Sequence, residues 1–144
     1  MSRIERAMQL RADGRSCSQA VAEAFAPSFG VGAAIARGMA RGFGSGLGQG
    51  VTCGAVTGAA MVIGLADPGT EDEGEDRQRV YARVRAFSER FAAERGALDC
   101  QDLLGGLDLT TTEGHDEAER LGLFDSVCMA CVRTSAELLE EMVG

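Results

Sequence analysis

The chain lacks several residue types, and each absence excludes a kind of chemistry. It has no tryptophan, no lysine, one tyrosine and one histidine among its 144 residues. Without lysine, Schiff-base catalysis and a phosphate-loop lysine are both excluded. A single imidazole likewise excludes any mechanism that needs two histidines. Only 5% of the residues are aromatic while 20 are glycine, so we expect a core that is closely packed from small side chains.

Basic charge is scarce as well. The chain has 14 basic residues, all arginine, against 22 acidic residues, which gives a formal net charge of -8. Such a chain repels phosphates, so we expect no binding to nucleic acid. The 45% of hydrophobic and 25% of charged residues are typical of a globular protein. The length suits one domain, and we expect residues 1–144 to form it.

The sequence also lacks a secretion signal and a long apolar run. Its first ten residues are charged and amphipathic, so we predict no signal peptide and a cytoplasmic location. The longest apolar stretch, residues 51–66, is interrupted by Thr and Gly and is shorter than the roughly 20 residues that span a bilayer. We therefore expect no membrane association, and we interpret this stretch as a buried helix.

Capping motifs and helical periodicity predict an all-α fold, a single-domain helical bundle of about five to six helices. The pairs Ser2 with Glu5 and Ser16 with Gln19 resemble capping boxes, which predicts helices over residues 2–12 and from residue 17 to the proline at 27. Apolar spacing predicts helices over residues 32–41, 53–65, 70–94 and 126–142. Shorter helices are expected from residue 98 and over residues 116–121. No segment alternates convincingly enough to predict a strand.

A glycine-rich run, residues 42–50, precedes the most apolar of these helices. Its glycine density predicts a tight loop between two closely packed helices. A nucleotide site is disfavoured because no strand precedes the run. The helix after it, with Thr52 as the expected N-cap, is apolar on nearly every side and should therefore be central. Gly54 and Gly58 lie on one face of it and would let a neighbouring helix approach closely.

The composition leaves five cysteines to explain: Cys17, Cys53, Cys100, Cys128 and Cys131. An odd number cannot pair completely, and cytoplasmic thiols more often serve redox chemistry or metal binding than structural disulfides. Each of these thiols also has a structural interpretation, because free cysteine often acts as a small buried hydrophobe. His115, in a predicted loop, is expected to be exposed rather than a ligand.

Four of the cysteines fall near predicted helix starts. Cys17, Cys53 and Cys100 each follow a capping residue, and Cys128 lies in the predicted first turn of the last helix. A helix N-terminus favours thiolate, but the dipole shifts a thiol pKa by less than about one unit. A cation or a metal would have to add to this effect, and Arg15 and Arg133 are the arginines near cysteines in sequence. If the helix starts meet, the thiols converge.

The spacing of these residues resembles a family of redox-active proteins named after its C, GCAxxG, C, C pattern. The resemblance lies in Ser-Cys17-Ser-Gln-Ala-Val, Cys53-Gly-Ala-Val-Thr-Gly58-Ala, Cys100-Gln-Asp-Leu-Leu-Gly105 and Cys128 ahead of Glu137-Leu-Leu-Glu. The chain departs from the pattern around Cys53 and in having Cys131 as an extra thiol. Which of Cys128 and Cys131 is the working thiol therefore stays open. The resemblance implies a small helical protein with redox-active thiols or a metal cluster.

Three functions are compatible with this sequence. The first is thiol–disulfide exchange with a redox partner of unknown identity, an oxidoreductase-type activity of the five cysteines. The second is an electron carrier or sensor that binds an iron-sulfur cluster or zinc through Cys17, Cys53, Cys100 and Cys128. The third is a homodimeric interaction module in which the thiols are merely buried. We expect the first, with the thiols gathered near the glycine-rich loop.

Overall fold

The computed structural model describes all 144 residues, which form eight α-helices and no β-sheet. The helices are α1 (Arg3–Ala12), α2 (Cys17–Phe25), α3 (Ala33–Ala40), α4 (Gly54–Ala66), α5 (Glu73–Arg95), α6 (Cys100–Leu103), α7 (Thr112–Arg120) and α8 (Leu123–Val143). The predicted all-α, single-domain class is confirmed. The number of helices exceeds the predicted five to six because the two shorter predicted segments, α6 and α7, are helical as well.

The predicted capping motifs define the first two helices. Ser2 accepts a hydrogen bond from the Glu5 backbone N–H at 3.0 Å, and α1 begins directly after it. Ser16 and Gln19 form a complete capping box, in which each side chain accepts a backbone N–H of the other residue. Local capping therefore decides where α1 and α2 begin, as the sequence predicts.

Later helix starts differ from the prediction. The N-cap of α4 is Cys53 rather than Thr52, because Thr52 forms an antiparallel bridge with Asp99 instead. The N-cap of α5 is Asp72 rather than Thr70, whose backbone and hydroxyl groups donate to the Asp76 carboxylate. In both places the residue that the local motif had assigned to capping takes part in another interaction.

The last two helices are longer than predicted. Helix α7 begins at Thr112 rather than at residue 116, with Thr111 as its cap, so His115 lies in a helix and not in a loop. Helix α8 begins at Leu123 rather than at residue 126, directly after Gly122 in the left-handed region at φ 69°. The earlier start of α8 places Cys128 beyond the first turn, which is a correction to the predicted site.

Helix α4 is the centre of the core, as predicted for a helix of small apolar residues. It packs against α2, α5 and α8, and most of its residues are buried. A β-carbon at Gly54 would lie 2.8 Å from the Ser18 nitrogen, and one at Gly58 would lie 2.9 Å from the Ser18 oxygen. The predicted close approach at these glycines is therefore confirmed, and its partner is α2. Neither α4 nor any other helix is both long and apolar enough to cross a membrane.

The glycine-rich run turns the chain between α3 and α4, but these two helices have little direct contact, so the predicted packing of its flanking helices is wrong. The backbone has positive φ at four consecutive residues from Ser45 to Gly48. A β-carbon at Gly46 would overlap the Val51 backbone, which only glycine avoids. The run instead packs against Ser16 at the start of α2 and Gln101 in α6.

Candidate functional site

All five cysteines line a single cavity of about 70 Å³, which we call the cysteine cavity. By comparison, one water molecule needs about 10–15 Å³ by the same kind of measure. The five thiols are free. Helix α2, the start of α4, α6 and α8 supply them, and Ser45 of the glycine-rich run lies in the same wall. The predicted gathering of the thiols near this run thus agrees with the structure, whereas their chemical role stays a prediction.

A two-residue antiparallel bridge positions two of the thiols. The Cys53 N–H donates to the Leu98 carbonyl oxygen at 2.7 Å, and the Cys100 N–H donates to the Val51 carbonyl oxygen at 2.7 Å. These bonds flank the bridge between Thr52 and Asp99. They hold the starts of α4 and α6 side by side. A single bridge has no alternating pattern, so the sequence held no signal for it.

The predicted positions of the cysteines at helix starts are correct in two cases. Cys17 is the first residue of α2 and Cys100 is the first residue of α6. Cys53 is the cap of α4 rather than its first residue, and Cys128 lies beyond the first turn of α8. The macrodipole argument therefore does not apply to Cys128, because the effect is confined to the first turn.

Four of the cysteines interact one after another and form a path through the cavity. Cys128 interacts with Cys17, Cys17 with Cys53, and Cys53 with Cys131. Cys17 and Cys128, here called the outer pair, are half-buried. Cys53 and Cys131, here called the inner pair, are 5% and 2% exposed. The path therefore leads from the partly exposed rim of the cavity into the core.

Burial and mutual interaction raise the pKa of three of these thiols, Cys17, Cys53 and Cys128. Contact with Cys128 lowers the pKa of Cys17, but contact with Cys53 and burial outweigh it and raise that pKa to about 12. Contact with Cys131, together with burial, raises the pKa of Cys53 to about 12. Contact with Cys17 and burial raise the pKa of Cys128 well above its usual range. These effects act against the small preference for thiolate that a helix start provides.

Cys100 lies apart from this path. It is 8% exposed, and burial is the main cause that raises its pKa to about 11, with the charges of Cys128 and Asp99 acting in the same direction. Cys128 acts on Cys100 through its charge alone. Cys100 is thus a single buried thiol beside the outer and inner pairs.

The cation of the cavity is Arg11, which sequence reasoning missed. Arg11 is the one charged residue in the cavity lining. Arg15 instead forms a salt bridge with the buried Glu23 at 2.7 Å. Arg133 is largely exposed and faces Glu137 at 3.8 Å. The apolar face of α1, on which Arg11 continues the spacing of Ile4, Ala7 and Met8, was the signal that could have identified it.

The sulfur positions bear on metal binding. A tetrahedral zinc site with Zn–S bonds of about 2.3 Å needs four sulfurs about 3.8 Å from one another. No three cysteine sulfurs lie within 4.8 Å of one another. The cysteine sulfurs are therefore not at the mutual spacing of a tetrahedral zinc site. The His115 side chain is 53% exposed, and its exposure was predicted.

Comparisons with known proteins place these cysteines in a family. Neither the curated proteins nor the solved structures include a match to the chain. A family model described as "Putative redox-active protein (C_GCAxxG_C_C)" matches residues 15–142. The match includes all five cysteines and leaves out α1 with Arg11. The chain therefore belongs to the C_GCAxxG_C_C family of redox-active proteins.

Proposed function

We propose that this protein performs thiol–disulfide exchange, with the outer pair meeting a redox partner and the inner pair holding a second disulfide. The observation that carries the proposal is the convergence of the half-buried Cys17 and Cys128 and the buried Cys53 and Cys131 on one cavity. Disulfide exchange needs sulfurs that can come into pairwise contact, and four neighbouring thiols supply two pairs.

The reaction at the outer pair is a two-electron exchange. One outer thiol loses its proton to solvent, and the thiolate attacks a disulfide of the partner, releasing one partner thiolate and forming a mixed disulfide. The second outer thiol then attacks the protein sulfur of that bond and releases the other partner thiolate. The partner disulfide is thereby reduced to two thiols, while Cys17 and Cys128 are oxidised to one disulfide.

The contact between Cys17 and Cys53 gives this disulfide a route inwards. Cys53 attacks the Cys17 sulfur and releases Cys128, and Cys131 then attacks Cys53 and releases Cys17. The disulfide now joins the inner pair, and the outer pair is reduced and ready for a second exchange. Because the raised pKa of Cys53 keeps its thiol protonated, we expect the first of these steps to be slow at neutral pH.

Thiol counting with disulfide mapping tests the proposal. The protein is purified anaerobically, oxidised with a small disulfide, and its free thiols are counted before and after. We expect five thiols to become one, with Cys17 joined to Cys128, Cys53 joined to Cys131, and Cys100 left free. The matched variant Cys100→Ser should form the same two disulfides and retain no thiol. Five free thiols in both states would contradict the proposal.

Two single substitutions test the direction of the transfer. In Cys53→Ser the outer disulfide should form and stay where it is, because its route inwards is removed. In Cys17→Ser the inner pair should stay reduced during a brief oxidation, because no disulfide reaches Cys53. An inner disulfide that forms at the normal rate without Cys17 would show that the path is not used.

Metal content distinguishes this proposal from the cluster expected as its alternative. An iron-sulfur cluster held by Cys17, Cys53, Cys100 and Cys128 would supply one-electron transfer, and the positive Arg11 would suit its negative charge. Reconstitution with iron and sulfide, followed by a visible spectrum, decides this point. We expect a colourless product; a stable coloured one that protects these four thiols from alkylation would favour the cluster.

A further inference from the structure

The cysteine cavity carries a single charge, and that charge is positive. Arg11 reaches the cavity from α1, and the other residues of the lining have uncharged side chains. Arg11 also lies outside residues 15–142, which match the family pattern. The cysteine pattern therefore gives no account of why a cation is held beside the thiols.

Two nitrogens of the Arg11 guanidinium have hydrogen-bond acceptors, and the third has none. Its terminal nitrogens donate to the carbonyl oxygens of Arg15 at 3.2 Å and of Phe124 at 3.1 Å. Its Nε–H is buried and has no acceptor, and it is the one such buried side-chain atom in the protein. An unpartnered buried donor is unfavourable, so we expect it to find an acceptor in a state that the protein visits.

The outer pair offers that acceptor. The guanidinium lines the same cavity as Cys17 and Cys128, and its positive charge acts on both thiols. A neutral thiol is a weak acceptor, whereas an ionised group accepts a much stronger hydrogen bond from a guanidinium. In thiol–disulfide exchange, negative charge resides on the attacking sulfur before the bond forms and on the leaving sulfur afterwards.

We propose that Arg11 is a positioning residue for exchange at the outer pair, where it donates a charge-assisted hydrogen bond to the sulfur that carries the negative charge. Arg11 keeps its own protons throughout: the proton of the attacking thiol goes to solvent, and the electron pair moves from sulfur to sulfur as described above. This inference rests on the proposed thiol exchange. The competing explanation is that Arg11 merely attracts negatively charged partners into the cavity.

Two small disulfides separate these explanations. Hydroxyethyl disulfide is neutral and dithiodipropionate is anionic, and the rate at which each oxidises the outer pair is measured by quenched mass spectrometry. In Arg11→Gln we expect both rates to fall about tenfold, because an opposite charge near a thiol changes its thiolate population by at least that factor. The matched surface variant Arg133→Gln should stay within twofold of the wild type. Arg11→Lys keeps the charge and should recover most of the rate.

The outcomes are as follows. An equal loss with both reagents, recovered in Arg11→Lys, supports the inference. A loss with dithiodipropionate alone, or with neither reagent, overturns it. If Arg11→Gln does not fold by circular dichroism, Arg11→Met replaces it, because methionine leaves no buried polar group, and the same loss is expected.

The thiol count of the wild type keeps the two proposals apart. If the wild type forms no disulfide, the proposed function fails, and this inference fails with it. If the wild type forms both disulfides and Arg11→Gln forms them equally fast, the proposed function stands and the role of Arg11 is overturned.

Discussion

The outer and inner cysteine pairs share one cavity but differ in their surroundings. Cys17 and Cys128 are half-buried and lie beside the Arg11 guanidinium. Cys53 and Cys131 belong to the main hydrophobic core, where they pack with the apolar residues of α4 and α8. Cys17 and Cys53 both stand at the start of a helix, yet one lies at the rim of the cavity and the other in the core. The two pairs therefore differ in their burial, which does not depend on the position of each cysteine in its helix.

The largest effect that we predict is the contrast in alkylation between the pairs. In the reduced, folded protein, a neutral maleimide should modify Cys17 and Cys128 at least about 100-fold faster than Cys53 and Cys131, because buried groups react only when the structure opens locally. Mass spectrometry of the modified peptides measures each rate. In denaturant the contrast should vanish. Similar rates for both pairs in the folded state would remove the basis of the comparison.

The next effect concerns the helix crossing that joins the pairs. In Gly58→Ala the new β-carbon would meet the Ser18 backbone, so we expect a loss of about 1–3 kcal/mol in the free energy of unfolding. The transfer from Cys17 to Cys53 should slow as α2 and α4 separate. Gly64→Ala in the same helix meets no atom within 4 Å and should instead stabilise by up to about 1 kcal/mol. Urea unfolding measures the free energy of unfolding of both variants. Equal changes in Gly58→Ala and Gly64→Ala would contradict the close approach of α2 at Gly58.

The pH dependence of stability tests the burial of the thiols. Since the pKa values of Cys17 and Cys53 rise from 9.0 to about 12 on folding, the folded state keeps protons that the unfolded state loses between these values. Stability is therefore full below pH 9 and should fall above it, with a limiting slope of about 1.4 kcal/mol per pH unit for each thiol. Urea unfolding at pH 8, 9 and 10 measures the slope. Oxidation to disulfides should remove the part of the slope that the paired cysteines contribute and leave that of Cys100, and Cys53→Ala should reduce it.

The smallest effect concerns a hydrogen bond that supports the inner pair. The buried Ser135 hydroxyl donates to the Ala55 carbonyl oxygen at 2.7 Å and joins α8 to α4. Ser135→Ala should cost about 1 kcal/mol of stability. In the matched variant Ser126→Ala, the hydroxyl that is lost donates to the Gly122 carbonyl oxygen at the exposed start of α8, and little change is expected. Equal losses in the free energy of unfolding for Ser135→Ala and Ser126→Ala would show that the buried hydrogen bond of Ser135 adds no stability.

The sequence predicted the fold class and the parts that depend on neighbouring residues. Ser16 with Gln19 places the start of α2, and with it Cys17. The apolar stripe of α5 correctly identifies Phe87 and Phe91 as buried residues. The start of α8 was missed because Gly122, in the left-handed region, begins the helix without any capping side chain. A helix that begins without a capping motif leaves no pattern for sequence reasoning to use.

The candidate site was predicted only in part. The gathering of the five cysteines near the glycine-rich run was expected from helix starts, but the bridge between Thr52 and Asp99 that holds two of them was not. Arg15, like Arg133, was only a candidate for the cation, since it is close to a cysteine in sequence. Arg15 forms a salt bridge with the buried Glu23, and the cation that lines the cavity is Arg11.

The amino-acid sequence alone establishes which reactive groups this protein has, namely five thiols, one histidine and no lysine, and it specifies the helix cap that places Cys17. Which thiols are neighbours, how deeply each is buried and which cation lies beside them follow from the tertiary structure. Arg11 reaches Phe124 across 113 residues, and Cys17 reaches Cys128 across 111. Contacts over such separations depend on how helices pack, and burial depends on everything that packs around a group, so neither is encoded in any local pattern of residues.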